Sequence, residues 1–211
     1  MSTEATPTGN YYDKYGSRNP VAAWLMGGFF AHLGRCLDRL EGVESVLDVG
    51  CGEGDVAGFV RDALPGAEYF ALDIDWDLAS RTACANPGAH CLVSDACRLP
   101  WRDGAFDLVL GIEVLEHLPE PARALEEMAR VSRGYVLVSV PNEPLWRILN
   151  MMRGSYVTRW GNTPGHVQHW GRAAFRRLLQ RRLEVMDESR PLPWLMALCR
   201  TPARGSVEPG A

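Results

Sequence analysis

Residues 45–55 constrain the fold of this chain more than any other segment, because they join a short apolar run to closely spaced glycines. The apolar, β-branched run over residues 46–49 predicts a strand that is buried on both faces. A helix with apolar residues at helical spacing is predicted to follow over residues 56–61. A strand, a glycine turn and a helix present backbone N–H groups to a ligand, so we predict a nucleotide-type binding loop. Its polar and glycine positions are Asp48, Gly50, Gly52 and Gly54.

The spacing of these glycines argues against two common nucleotide-binding loops. In the dinucleotide pattern G-x-G-x-x-G counted from Gly50, Asp55 occupies the place of the third glycine. The Lys-Ser or Lys-Thr pair that ends a P-loop does not occur in the sequence. An acidic loop repels a pyrophosphate, whereas it suits a cofactor that carries an ammonium and a sulfonium group. A glycine turn that binds no ligand is the alternative.

The series Asp-x-Gly-x-Gly-x-Gly over residues 48–54 closely resembles the first motif of class I S-adenosylmethionine-dependent methyltransferases. Further motifs of that family follow in the expected order, and the resemblance covers residues 45–140 well and the remainder loosely. It implies S-adenosylmethionine as the cofactor and S-adenosylhomocysteine as the product. The cofactor would bind at the carboxyl ends of the strands.

The order of the predicted elements indicates the fold class. Strands alternate with helices, and two final strands flank residues 191–193, so we predict a three-layer α/β sandwich with a mainly parallel sheet. The resemblance implies a Rossmann-like sheet of seven strands, of which the last inserts antiparallel. We expect a disordered lead over residues 1–10, a single domain over residues 11–201 with a substrate-lid insertion over residues 144–171, and a disordered tail over residues 202–211.

Several polar and apolar positions at the predicted strand ends are candidates for contacts with the cofactor. The second strand is predicted to end at Asp73, where a carboxylate can accept hydrogen bonds from both ribose hydroxyls of an adenosine, and Ile74 would pack on the adenine. The resemblance places Asp95 and Ala96 at the adenine edge, with Asp95 as an ordinary turn residue as the alternative. Tyr15 either packs on the following helix or folds over the methionine end of the cofactor. The cofactor-binding set is Tyr15, Asp48, Gly50, Gly52, Gly54, Asp73, Ile74, Asp95, Ala96 and Ile112.

The residues after the fourth predicted strand bear on the methyl acceptor. Residues 106–109 and 114–118 are similar to the small-molecule branch of the family, which includes quinone-type methyltransferases. Residues 111–114 replace the Asn/Asp-Pro-Pro-aromatic stretch with which nucleic-acid enzymes of the family hold a base amine, and this argues against a flipped base. We therefore expect methyl transfer to an oxygen, nitrogen or carbon of a small, largely apolar metabolite. Acceptor contacts are predicted for Trp146, Met152 and Trp160, and a core-facing helix at the start of the insertion is the alternative.

Histidines are the candidates for a general base, because imidazole titrates near the pH at which enzymes work. The three candidates are His117, His166 and His169. His166 and His169 are three residues apart and could share one helical face, but no Cys, Asp or Glu lies close to them in the sequence. A metal site needs at least a third ligand, so we predict none.

Residues 172–182 contain five arginines interleaved with apolar residues, which predicts an amphipathic helix with a basic face. That face is either solvated or docks an acidic partner. A methyltransferase that acts on RNA or protein docked by this helix is therefore an alternative function. A non-catalytic protein that binds the cofactor is a second alternative.

Composition limits the possible partners. A net charge of −4 gives no overall attraction to nucleic acid or to an anionic membrane. The first ten residues lack the basic and apolar regions of a signal peptide, and no apolar run is long enough to span a bilayer. Six cysteines without a C-x-x-C pair indicate reduced thiols in a cytoplasmic protein. We expect a monomer or homodimer that acts on a small molecule.

Overall fold

The computed structural model of the chain describes residues 20–143, 145–152 and 165–202. Its strands are β1 (Ser45–Val49), β2 (Glu68–Asp73), β3 (His90–Val93), β4 (Phe106–Ile112), β5 (Ser132–Pro141), β6 (Glu184–Ser189) and β7 (Trp194–Arg200). Its helices are α1 (Pro20–Leu37), α2 (Asp55–Ala63), α3 (Trp76–Ala85), α4 (Pro121–Val131), α5 (Leu145–Met152) and α6 (Arg172–Leu179), and a 3₁₀ turn covers Leu115–His117.

The seven strands form one sheet in the order β3-β2-β1-β4-β5-β7-β6. β7 runs antiparallel to both of its neighbours, and every other neighbouring pair is parallel. This topology confirms the predicted α/β sandwich with a seven-stranded, mainly parallel sheet and one antiparallel strand.

Helices cover both faces of the sheet because successive side chains of a buried strand point to opposite sides. In β1, Val46 belongs to the apolar cluster that contains Phe29 of α1 and Val60 of α2. The next residue, Leu47, belongs to the cluster on the other face, which contains Leu125 of α4 and residues of α6. Apolar residues therefore fill every position of β1 except its first and Asp48, which explains why the run was visible in the sequence.

The carboxyl ends of the central strands lie at the same end of the sheet, which is where the functional residues were predicted. β1 pairs with β2 on one side and with β4 on the other, so the strand order reverses between β1 and β4. In open α/β sheets, ligands bind at the carboxyl ends of the strands beside such a reversal. The Gly50 and Cys51 N–H groups both donate to the Leu72 carbonyl, which fixes the loop after β1 against the end of β2.

One predicted helix is longer than the helix observed. The helix predicted over residues 172–182 ends at Leu179, and the following residues form single turns in which Arg182 N donates to the Leu179 carbonyl. α4 begins at Pro121, because proline needs no hydrogen-bond acceptor in the first turn of a helix.

No helix of residues 20–143, 145–152 and 165–202 is long and apolar enough to cross a membrane. All six cysteines lie in these residues and are free thiols. Cys36, Cys51 and Cys199 are buried, and Cys84 is exposed. Burial raises the pKa of the Cys36 thiol to about 11, so this thiol stays protonated at neutral pH.

Candidate active site

A cavity of about 670 Å³ opens at the carboxyl ends of β1, β2 and β4. Its volume lies within the range of small-molecule and cofactor sites in proteins. The loop after β1 forms one wall, the residues after β2 and β3 form a second, and the residues after β4 form a third. Nine of the ten predicted cofactor-binding residues line it: Asp48, Gly50, Gly52, Gly54, Asp73, Ile74, Asp95, Ala96 and Ile112. Tyr15, the tenth, lies outside the described residues.

The glycine loop is hydrogen-bonded to the end of α3 on one side and is open to the cavity on the other. Gly50, Gly52 and Gly54 have φ angles of 73°, 56° and 91°, which L side chains rarely adopt. A Cβ on Gly54 would lie 2.6 Å from Asn86 Nδ2, whereas a Cβ on Gly52 would have no atom within 4 Å. Thr82 Oγ1 donates to the Gly52 carbonyl at 2.9 Å, and Asn86 Nδ2 donates to the Gly54 carbonyl at 3.1 Å. The fold therefore places the Gly52 backbone against open space where a ligand can approach.

We expect Gly54→Ala to lower the free energy of unfolding by about 2–3 kcal/mol, since it combines left-handed backbone strain with a contact on buried Asn86. Urea unfolding measures the loss. Gly66→Ala is the control, because a Cβ on Gly66 meets no atom within 4 Å and its φ is not positive. This control should change stability by less than about 0.5 kcal/mol. Equal losses in the two variants would contradict the close packing of the loop on α3.

Asp73 combines a structural role with a position on the cavity wall. Its side chain is buried, with 8% of its surface exposed. One carboxylate oxygen accepts from Gly52 N at 3.1 Å, and the other accepts from Asp75 N at 3.0 Å. A carboxylate has room for about four hydrogen bonds, so further acceptor capacity faces the cavity. The geometry suits the predicted acceptance of hydrogen bonds from ribose hydroxyls.

Asp48 is the most buried carboxyl group of the cavity wall, with 1% of its surface exposed. Tyr69 Oη donates a hydrogen bond of 2.9 Å to its carboxylate. Burial raises the pKa of Asp48 to about 7, although the Tyr69 hydrogen bond opposes the shift and the nearby Asp73 adds to it. Near neutral pH this side chain is therefore poised between its two protonation states.

Asp95 forms a turn after β3 and also lies on the cavity wall. Its side chain accepts from Cys97 N at 2.8 Å, which is the geometry of an ordinary Asx turn. Asp95 and Ala96 also line the cavity, together with the exposed side chain of Ile74. The turn thus brings Asp95 to the cavity wall, and the turn role and the predicted contact are compatible.

The three candidate histidines occupy different environments. His117 lines the cavity, and its Nδ1 lies 3.1 Å from the Gly165 carbonyl oxygen. His166 is buried against Trp146, with ring centroids 6.2 Å apart, and is not part of the cavity wall among the described residues. His169 is partly exposed, outside the cavity wall, and its Nδ1 lies 3.5 Å from Glu143 Oε1. Of the three, His117 is the one placed to contact a bound molecule.

The predicted acceptor contacts are less well supported by the structure. Trp146 is buried in the apolar cluster that contains Phe29, and its ring lies 5.6 Å from that of Trp194. It does not line the cavity formed by the described residues. This position favours the alternative of a core-facing helix, because an aromatic ring packed on the sheet has no surface left for an acceptor. Trp160 and the side chain of Met152 lie outside the part of the chain that the structure describes.

Two glutamates after β4 were missed by sequence reasoning. Glu113 lines the cavity, has a φ of 55° and accepts a 2.6 Å hydrogen bond from Trp194 Nε1. Positive φ at a non-glycine residue is uncommon and often marks functional sites. Glu116 is buried beside His117, and the fold brings His166 to the same place. The prediction of no metal considered neighbours of His166 in the sequence only, whereas Glu116 comes from a distant part of the chain.

Several arginines of α6 and the following turn form ion pairs with acidic residues of the same chain. Arg172 and Arg176 pair with Glu188 of β6 at 3.0 Å and 3.5 Å. Arg182 pairs with Glu126 of α4 at 2.9 Å. These pairs hold α6 and the following turn to the sheet and to α4, so much of this charge has a structural partner.

Comparison with known proteins gives one family. Residues 47–138 match the family model described as "Methyltransferase domain". The chain is 34% identical over 110 residues to a probable S-adenosylmethionine-dependent methyltransferase of Mycobacterium tuberculosis (strain H37Rv), covering 51% of this chain and 38% of that protein. It is 35% identical over 109 residues to the tRNA (carboxymethyluridine(34)-5-O)-methyltransferase of Arabidopsis thaliana, covering 49% of this chain and 26% of that protein. The chloroplastic tocopherol O-methyltransferase of the same plant is 35% identical over 96 residues, covering 43% of this chain and 27% of that protein.

The chain therefore spans less than two-fifths of the length of these relatives. Among solved structures, the magnesium protoporphyrin IX methyltransferase of Synechocystis PCC 6803 with bound S-adenosylhomocysteine has a TM-score of 0.65 at 16% identity, with 88% of this chain and 89% of that chain covered. At this identity the likeness shows the fold alone. The matched domain, the relatives, the glycine loop and the sheet topology together make this chain similar to the class I S-adenosylmethionine-dependent methyltransferases.

Proposed function

We propose that this chain binds S-adenosylmethionine in the cavity at the ends of β1, β2 and β4 and methylates a small molecule. The observation that carries the proposal is the glycine loop, whose Gly52 backbone faces open space beside the carboxylate of Asp73. S-Adenosylmethionine supplies a sulfonium-activated methyl group when bound, and the protein contributes binding and alignment. In this proposal Asp73 accepts from the ribose hydroxyls, and Asp95 and Ala96 contact the adenine edge.

The acceptor side of the cavity is best suited to a small, largely apolar molecule. Val114, Leu118 and Pro119 line it next to His117. Charged side chains of Glu113, Glu120 and Arg123 also line the cavity, so its wall suits an acceptor with an apolar body and a polar atom for methylation. The tocopherol O-methyltransferase among the relatives acts, by its name, on such a molecule. We assign to His117 the contact with the acceptor's polar atom.

A nucleic-acid acceptor is the alternative with a specific observation in its favour, since one relative is named as a tRNA methyltransferase. α6 and its following turn carry five arginines, and Arg172, Arg176 and Arg182 have internal acidic partners. The remaining basic surface is modest, and the chain as a whole is acidic with a net charge of −4. Both features favour the small-molecule acceptor.

The two acceptor classes are separated by methyl transfer from radiolabelled S-adenosylmethionine to a panel of phenols and quinols and, in parallel, to bulk tRNA. We expect label on a small molecule, with a rate that changes little with salt. Label on tRNA, together with an affinity that falls steeply as salt rises, would replace the small-molecule assignment. Cofactor binding without transfer to any member of either panel would favour the non-catalytic alternative.

A further inference from the structure

A second cluster of polar side chains lies next to the cavity and is separate from the residues that we propose bind the cofactor. It consists of Glu116 and His117 from the 3₁₀ turn after β4 and His166 from the segment that precedes α6. One ligand-type atom from each residue lies within 4.8 Å of the other two. Glu116 and His166 are buried, with 1% and 7% of their surfaces exposed, and His117 is partly exposed on the cavity wall.

Backbone hydrogen bonds hold the two contributing segments together. Val167 N and Gln168 N both donate to the Glu116 carbonyl oxygen, at 2.9 Å and 3.1 Å. Gln168 Nε2 donates to the Leu118 carbonyl at 3.3 Å. The distance between the two segments is therefore set by the backbone, so the three side chains are brought together whether or not a ligand binds.

The imidazole of His117 is oriented for binding a metal. Its Nδ1 lies 3.1 Å from the Gly165 carbonyl oxygen, which can only accept a hydrogen bond. A proton on Nδ1 leaves the lone pair on Nε2, and this arrangement, with a carbonyl behind the ring, is typical of metal-binding histidines. The His166 ring is fixed by stacking on Trp146, with an angle of 29° between the ring planes.

Two imidazoles and one carboxylate are the donor set of zinc and similar transition metals, whereas Mg²⁺ and Ca²⁺ prefer oxygen ligands. Zinc binds these ligands at about 2.0–2.2 Å, so ligand atoms in a tetrahedral site lie about 3.4 Å apart. Side-chain rotations that close the cluster by at most about 1.4 Å would reach that geometry. Three protein ligands leave a coordination position open, as in catalytic zinc sites.

We propose that Glu116, His117 and His166 bind a divalent transition metal of the zinc type at the edge of the cavity. Because His117 lies on the cavity wall, a metal held by these residues would lie beside the space assigned to the acceptor. An oxygen of the acceptor would bind there, and the contact assigned to His117 would then be made through the metal rather than by the ring itself. This use of the metal rests on the proposed function, whereas the metal site itself does not.

The test is titration of the untagged, chelator-treated full chain with Zn²⁺, monitored by isothermal titration calorimetry. We expect one zinc ion per chain, and Glu116→Gln and His166→Gln should each weaken binding by about 100-fold or more. His169→Gln is the matched control, because His169 is three residues from His166 and pairs with Glu143 instead. Its zinc affinity should stay within about threefold of the original chain. Binding of S-adenosylhomocysteine, measured on the same samples, tests the cofactor site separately from the metal site.

The metal proposal is overturned if no stoichiometric zinc binds, if both Gln variants keep the original affinity, or if His169→Gln loses as much affinity as they do. Should a variant fail to fold, the X-ray absorption spectrum of the zinc-loaded original chain decides. Two imidazole ligands and no sulfur support the proposal, and a sulfur ligand assigns the zinc to the cysteines instead. Failure to bind S-adenosylhomocysteine with zinc binding intact would contradict the proposed function alone.

Discussion

Asp73→Ala should weaken the binding of S-adenosylhomocysteine by about 2–4 kcal/mol, or about 30- to 900-fold. In the proposed complex the variant loses two hydrogen bonds from ribose hydroxyls to an ionised acceptor, each contributing about 1.5–3 kcal/mol before water replaces part of the loss. The substitution also removes the acceptors of Gly52 N and Asp75 N, so the glycine loop loses a support at the same time. Calorimetry with S-adenosylhomocysteine measures the change.

Two further variants distinguish the ribose contact from a general effect on the loop. Asp77→Ala removes an exposed carboxylate from the first turn of α3, so cofactor affinity should stay within about twofold of the original. Asp73→Asn keeps one acceptor oxygen without the charge and should give an intermediate loss. If Asp73→Ala bound S-adenosylhomocysteine as tightly as the original chain, the ribose site would have to lie elsewhere.

Asp48 should make the stability of the fold fall as the pH rises towards neutrality. Its folded-state pKa of about 7 lies above the ordinary aspartate value of 3.8, so the folded chain holds a proton that the unfolded chain releases. The stabilising contribution is fully present below about pH 4 and is lost as the pH rises through about 7. Over this interval of about three pH units the loss amounts to at most about 4 kcal/mol, at 1.36 kcal/mol per unit.

Asp48→Asn isolates this contribution, since the amide carbonyl can still accept from Tyr69 Oη. Urea unfolding from pH 4.5 to pH 8 should show the variant gaining stability relative to the original chain as the pH rises. Tyr69→Phe is the complementary variant. It removes a hydrogen bond that favours the ionised carboxylate, so the free energy of unfolding should fall more steeply with rising pH than in the original chain. Parallel pH profiles for Asp48→Asn and the original chain would contradict a buried carboxyl group with a raised pKa.

The alternation of strands and helices and the glycine loop were predictable from local sequence patterns, whereas the count of seven strands and the antiparallel strand were implied by the family resemblance. A buried strand followed by Gly50, Gly52 and Gly54 predicts a tight loop with positive φ angles. Asp73 was identified because it is the last residue of the next strand. The neighbours of Asp48 were harder to predict. Tyr69 reaches Asp48 from the adjacent strand, where it is paired opposite Val46, and this register is a property of the assembled sheet.

The acceptor side depends on contacts between distant segments, which sequence periodicity does not reveal. The apolar stripe of α5 indicated a buried face but did not show whether it packs on the sheet or over the cavity, and Trp146 packs in the core. Glu116 and His166 are brought together by the bonds from Val167 N and Gln168 N to the Glu116 carbonyl, across about fifty residues of sequence. Arg172 and Arg176 of α6 likewise pair with Glu188 of β6, a contact that depends on how α6 packs against the sheet.

We propose that the cavity at the ends of β1, β2 and β4 binds S-adenosylmethionine rather than a dinucleotide. Isothermal titration calorimetry of the full chain with S-adenosylmethionine, S-adenosylhomocysteine and NAD tests it most directly. We expect dissociation constants on the order of micromolar for the first two ligands and no comparable binding of NAD. Tight binding of NAD, with no heat from S-adenosylhomocysteine, would contradict it.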